Sequence, residues 1–268
     1  MGIMSTATLP ASSTATGPAA AFARDGFYLA RGMFAARIPE LEREFDRICA
    51  QLDQSGQDTN ARWPGSASDL VNGSGRVVQH THNVQRYSAV WAQVWYDRAY
   101  LDMTEQFLGP DIIMHHTKLF RKPAEKGAAF PMHQDWSYFP TLKETNLAAI
   151  VHVSDATDDM GCLRVHPGSH LSGRMADSSG MGDITEVQRR FPLETATPVE
   201  CKAGDVVFFH SLTVHGSRIN TSQRMRKTVL CQMYAGHDQI DPKAPGHIDE
   251  HLVLHGWNHH MTRDLAAE

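Results

Sequence analysis

From Asp111 to Tyr234 the chain is a succession of short β-like runs, and this limits what it can fold into. The runs are Ile112–Phe120, Ala148–Val153, Cys162–His166, Val206–His210 and Lys227–Tyr234, each separated from the next by Gly, Pro or Asp turns. Helical spacing precedes them. Leu41, Phe45, Ile48 and Leu52 recur every three or four residues between Pro39 and Leu52, with Glu42, Arg43, Asp46 and Arg47 on the other side. A second helical region is predicted from Trp91 to Leu108, closed by Gly109-Pro110. Many short strands framed by helices point to a mainly β fold with flanking helices, a double-stranded β-helix (jelly-roll, cupin-like) whose mouth holds the site. With 268 residues the chain makes one domain, residues 21–268, behind a flexible tail, residues 1–20, of small uncharged residues. Ser55–Gly75, rich in Gly, Ser, Asp and Asn, reads as a mobile loop able to act as a lid.

One stretch inside this frame carries chemistry: Phe130-Pro-Met-His-Gln-Asp-Trp-Ser-Tyr-Phe-Pro140. On an extended strand residues i and i+2 share a face, so His133 and Asp135 can offer an imidazole nitrogen and a carboxylate oxygen to one ion. Alone, in a chain with 16 histidines, this tripeptide reads as a surface histidine beside an acidic turn. A third ligand changes the reading, and His215, about eighty residues on in Asp205-Val-Val-Phe-Phe-His-Ser-Leu-Thr-Val-His-Gly-Ser217, is the candidate. Two histidines and one carboxylate leave a face of an octahedron open, as in non-haem Fe(II) oxygenases. Arg226 follows His215 by eleven residues, on what reads as the next strand. A guanidinium fork there can hold a carboxylate at two points. Metal triad and carboxylate clamp together are what 2-oxoglutarate chemistry needs.

These residues resemble the phytanoyl-CoA dioxygenase family of Fe(II)/2-oxoglutarate oxygenases. Met132-His-Gln-Asp135 followed by Tyr138-Phe-Pro140 is similar to its metal strand, and Asp159-Met-Gly-Cys-Leu163 with Pro167-Gly-Ser-His170 resembles its middle motif. Gly204-Asp-Val-Val-Phe-Phe-His210 leading into His215-Gly-Ser217 and Arg226 is similar to its C-terminal motif, and Asp25-Gly-Phe-Tyr-Leu-Ala-Arg-Gly32 to its usual start. The resemblance implies the same double-stranded β-helix. It implies Fe(II) on His133, Asp135 and His215, and 2-oxoglutarate on Arg226, Ser217 and Lys118, with O2 as the other cosubstrate and ascorbate as an accessory reductant. No catalytic residue beyond the metal ligands is expected. Hydroxylation of an unactivated C–H, releasing succinate and CO2, is the implied reaction. Retention of Asp135 favours hydroxylation, desaturation or cyclisation, since family halogenases carry a small residue there. The expected substrate is a small polar metabolite such as an amino acid, betaine, aminophosphonate or natural-product intermediate, with an acyl-CoA as the alternative.

Strict alternation over Ile112–Phe120 puts Met114, His116, Lys118 and Phe120 on one face and Ile113, His115, Thr117 and Leu119 on the other. His116 is thereby a candidate substrate contact beside Lys118. Trp136 and Tyr138 flank the ligands; at period two they project away from the metal, and a bend after Asp135 is required to bring either to the substrate. His170 and His210 are expected to satisfy buried hydrogen bonds, and Gly168 to sit in a turn. His247, His251 and His255 recur every four residues and, with His259 and His260, read as one solvated helix face.

Composition narrows the partners. A net charge of −5 without a Lys/Arg run gives no reason to expect nucleic acid, and no apolar stretch reaches membrane-span length. Cys49, Cys162, Cys201 and Cys231 form no C-x-x-C pair and read as reduced thiols of a cytoplasmic protein. The expected partner is a small-molecule substrate, and the expected assembly a monomer or homodimer. Two other classes remain: a non-oxidative metal-dependent jelly-roll enzyme, which has no use for Arg226, and an inactive binding module, which would have no reason to keep three ligands.

Overall fold

Val206-Val-Phe-Phe-His210 is apolar at four successive positions because its strand is buried on both faces. Val206 and Phe208 join a cluster with the helices, while Val207 and Phe209 join a second cluster lying between two sheets. The computed structural model describes residues 16–59, 77–175, 185–243 and 249–263. Among them a seven-stranded antiparallel sheet runs in the order β1 (Phe27–Ala30), β8 (Val206–His210), β5 (Leu147–His152), β10 (Arg226–Ala235), β3 (Ile112–Lys122) and β11 (Leu252–His255), and β2 (Gln79–His82) also pairs with β3. A four-stranded antiparallel sheet runs β4 (Phe130–His133), β9 (His215–Ser217), β6 (Leu163–Val165) and β7 (Thr197–Val199).

Ala148, Val207 and Phe209 of the larger sheet meet Leu163, Val165 and Val199 of the smaller one. The other face of the larger sheet is covered by α1 (Pro18–Asp25), α2 (Ile38–Ser55), α3 (Ala89–Val94) and α4 (Arg98–Leu108). This is the double-stranded β-helix expected from the strand pattern. Leu41, Phe45 and Ile48 of α2 are fully buried against the sheet, and each contributes about 1.5–3 kcal/mol by leaving water.

Several boundaries differ from the expectations. The region Trp91–Leu108 is two helices, because Asp97 prefers to cap: its side chain accepts from the N–H groups of Ala99 (3.0 Å) and Tyr100 (3.4 Å) and starts α4 there. Pro18 opens α1, so the last residues of the expected 1–20 tail are helical, with proline at the position where its missing N–H costs nothing. Residues 1–15 lie outside the described residues. So does 60–76, the bulk of the expected Ser55–Gly75 lid, and Ser55 itself closes α2.

β3 carries the most consequential departure. Its pairing with β10 shifts register between Gln232 and Met233, opposite Met114 and His116, which makes a bulge at His115. One extra residue reverses the alternation. Met114 therefore packs with Leu119 on the helix side, not with His116 and Lys118 as strict alternation predicts. The late histidines differ too. His251 has φ 49° and leads into β11, so 252–255 is extended and these histidines share no helix face; His247 lies outside the described residues. His255, His259 and His260 bind Pro110 O, the Asp111 carboxylate and His237 O separately. All four cysteines are buried free thiols. No described helix is long and apolar enough to cross a membrane.

Candidate active site

β4 and β9 pair with His133 directly opposite His215, which sets their rings 4.3 Å apart. Each Nδ1 lies on the carbonyl of the residue two before it: 2.8 Å from Pro131 O for His133 and 2.9 Å from Thr213 O for His215. A carbonyl only accepts, so Nδ1 carries a hydrogen in both rings, and Nε2 is the atom turned toward Asp135. Beyond His133, Gln134 stays extended (φ −111°, ψ 131°), and Asp135 then opens a 3-10 turn through Ser137. The two-residue spacing survives past the strand end for that reason. Asp135 Oδ1 sits 3.5 Å from His133 Nε2 and 3.6 Å from His215 Nε2.

The three donor atoms lie within 4.8 Å of one another and all three residues are buried. These gaps are long for hydrogen bonds. They suit donors that each approach one ion to about 2.1 Å, which leaves neighbouring donors about 3 Å apart. Burial, followed by the charge of His133, drives His215 down to about 4, so it is neutral, the ligating form. Burial pushes the Asp135 carboxyl up, but His215, His133 and Lys118 together outweigh it and hold the group below its ordinary range. Two imidazole nitrogens and one carboxylate oxygen form the donor set of a non-haem Fe(II) site.

The triad is braced from two sides. Gln232 Nε2 donates to Asp135 Oδ2 (3.3 Å) and to Asn146 Oδ1 (2.5 Å). Gln134, between the ligands, donates to Gly173 O and Leu212 O and accepts from Met175 N, tying the ligand turn to two loops.

The bulge in β3 turns His116 and Lys118 inward. His116 is fully buried, its ring 4.7 Å from Phe139. The Lys118 ammonium lies 5.3 Å from the same Phe139 ring, and burial lowers it to about 8 against the pull of Asp135. Tyr138 presents an edge to His133 at 5.9 Å, which the 3-10 turn allows and period-two alternation does not. Trp136 packs beneath the Arg174 guanidinium at 4.4 Å. His170 and His210 each bond backbone, to Ala23 O and Leu212 N, and Gly168 (φ 76°) forms a turn.

Arg226 and Ser217 form a second polar cluster. Arg226 opens β10, is buried, and donates Nη1 to Gly161 O, while its Nε meets no partner among the described residues. Burial lowers the guanidinium to about 10. Ser217 Oγ accepts from Lys122 Nζ at 2.8 Å. Lys122, Gln232 and Asn146 were not among the sequence candidates. Strand parity was the available signal: Lys122 shares a face with Lys118, and Gln232 shares one with Arg226.

The family model for phytanoyl-CoA dioxygenase matches residues 22–228. The peroxisomal phytanoyl-CoA dioxygenase of Bos taurus is 28% identical over 228 residues, 78% of this chain and 65% of the relative. This chain thus spans less than two thirds of that protein. L-proline trans-4-hydroxylase of Streptomyces griseoviridis is 28% identical over 176 residues, 57% of this chain and 66% of the relative. Among solved structures, the non-heme alpha-ketoglutarate-dependent carbocyclase SnoK from nogalamycin biosynthesis superimposes with a TM-score of 0.71 at 18% identity, covering 86% of this chain and 87% of that one, which is likeness of fold.

Proposed function

Because the chain belongs to the phytanoyl-CoA dioxygenase family, we propose that it is an Fe(II)- and 2-oxoglutarate-dependent oxygenase hydroxylating an unactivated C–H of a small polar metabolite. The overall reaction converts substrate, 2-oxoglutarate and O2 to hydroxylated substrate, succinate and CO2. One observation carries the reading: three ligand atoms of the right kind converge within 4.8 Å, each histidine oriented by its Nδ1 on a backbone carbonyl. In this reading His133, Asp135 and His215 hold the ion, and Fe(II), when bound, couples O2 reduction and oxidative decarboxylation of 2-oxoglutarate to C–H oxidation.

The remaining roles belong to the protein's own groups. Gln232 holds the free oxygen of Asp135, keeping that carboxylate single-pointed toward the ion. Arg226 clamps the distal carboxylate of 2-oxoglutarate, and the planar guanidinium fixes its orientation where an ammonium would not. Ser217 adds a donor to that carboxylate, and Lys118 offers a cation to the other end of the cosubstrate. His116 and Tyr138 flank the space left for substrate, and buried apolar walls such as Phe139 exclude water from it.

A small polar substrate is favoured by the match to a proline hydroxylase, which has nearly the same share of its length covered as the acyl-CoA enzyme. Cyclisation is the neighbouring outcome, given the shared fold of the carbocyclase. Four buried thiols without a disulfide are consistent with a reducing, cytoplasmic setting. The test is succinate release by the Fe(II)-loaded protein against a pool of amino acids, betaines and aminophosphonates. Release stimulated by a pool member and absent in His215→Ala supports the reading; succinate formed equally by both proteins contradicts it.

A further inference from the structure

We propose that Lys122 is a positioning residue that fixes the Ser217 hydroxyl as a donor toward one carboxylate of a dicarboxylic ligand, completing with Arg226 a pocket selective for such ligands. This rests on the 2-oxoglutarate reading above and concerns a residue that reading does not use.

An ammonium has three N–H groups and no acceptor. Those of Lys122 face Ser217 Oγ (2.8 Å), Arg218 O (2.8 Å) and Gly161 O (3.5 Å). Ser217 Oγ therefore accepts, and its own hydrogen must go elsewhere. Among the described residues that hydrogen meets no acceptor, so the hydroxyl is a preset donor. Arg226 is close by. It shares the Gly161 carbonyl with Lys122, and its Nε lacks a partner.

Both cations are buried, Lys122 completely, and none of the ion pairs among the described residues includes either. Buried charges without a counter-charge are costly, and an arriving carboxylate removes that cost. Arg226 disfavours the charge on Lys122: burial first, then Arg226, hold that ammonium well below its ordinary value. Gly161 is part of the arrangement. At φ +67° a Cβ there would come 2.4 Å from Arg218 O and 3.0 Å from Lys122 Nζ, so only glycine leaves its carbonyl beneath both cations. A lysine serving only to pin Gly161 and Arg218 would need no hydroxyl between itself and the pocket.

The experiment is calorimetric titration of the full-length protein, loaded with Ni(II), using 2-oxoglutarate and pyruvate, which shares the 2-oxo acid head and lacks the distal carboxylate. Losing a hydrogen bond to a charged group is expected to weaken 2-oxoglutarate about tenfold or more in Lys122→Met. Pyruvate binding should stay at the wild-type value, and Lys122→Arg should restore part of the loss. Ser217→Ala should reproduce the selective loss, and the double variant should be no worse than the weaker single one, because the lysine acts through the hydroxyl. If Lys122→Met does not fold, Ser217→Ala alone decides between selective and general loss. Unchanged 2-oxoglutarate affinity, or equal loss of both ligands, overturns the proposal while leaving the oxygenase reading intact. Wild-type protein that ignores 2-oxoglutarate overturns both.

Discussion

Arg226→Met should stabilise the ligand-free protein and greatly weaken its response to 2-oxoglutarate. Burial alone lowers this guanidinium from 12.5 to about 10. A base whose pKa is lower in the folded state loses stability wherever both states are protonated, which includes neutral pH. At about 1.4 kcal/mol per unit the drop is a penalty of about 3 kcal/mol. Methionine fills much of the same volume and removes that penalty. It also removes the charge-assisted hydrogen bond to the Gly161 carbonyl, worth about 2 kcal/mol, though Lys122 remains beside that oxygen. A net gain of about 1 kcal/mol should raise the melting temperature by about 2 °C or more. Binding moves the other way: truncating the buried partner of a carboxylate costs about 2–5 kcal/mol, or about thirtyfold and upward in Kd. Thermal melts with and without 2-oxoglutarate, plus metal content of the purified variant, read all three quantities. A variant that melts well below wild type, or that 2-oxoglutarate stabilises at the same concentrations as wild type, would refute the view that Arg226 is a cation kept buried for a ligand.

Other consequences are simpler. Gln232→Leu removes the amide holding Asp135 Oδ2, and metal affinity measured by chelator competition should fall about tenfold or more while the fold is retained. Gly161→Ala forces a Cβ against the Arg218 carbonyl at φ +67° and should cost about 1–3 kcal/mol in urea unfolding, together with 2-oxoglutarate affinity. His152 and His210 are held at about 4, mainly by burial, against 6.5 when exposed. Between these values the unfolded chain binds more protons, so stability complete above pH 6.5 should decline as pH falls toward 4, seen as a falling urea midpoint. A midpoint flat down to pH 4 would contradict this.

What could be read in advance follows from range. Val206–His210 was legible to the residue, because an apolar run between turn residues admits one interpretation. The convergence of His133, Asp135 and His215 was legible because local spacing and motif order carry it. The bulge at His115 was not: a one-residue change of register arises from pairing with β10, over a hundred residues away, and nothing local marks it. His116 and Lys118 therefore share a face as read, yet Met114 does not join them. Lys122 was missed for a similar reason, since β3 runs two residues past Phe120 and the lysine's partners Gly161, Ser217 and Arg218 come from distant loops and strands. The four-residue spacing of the late histidines suggested a helix, but β11 finds its pairing with β3 and extends that segment instead.

The central claim is that His133, Asp135 and His215 bind one ferrous ion with room beside it for a 2-oxo acid. Anaerobic titration of the protein with Fe(II) and then 2-oxoglutarate tests it most directly, through the weak visible charge-transfer absorption of the chelate. The account predicts an absorption that saturates at one iron per chain, is lost in His215→Ala, and in Arg226→Met appears only at far higher 2-oxoglutarate. No absorption in the wild-type protein, or one that persists undiminished in His215→Ala, would contradict it.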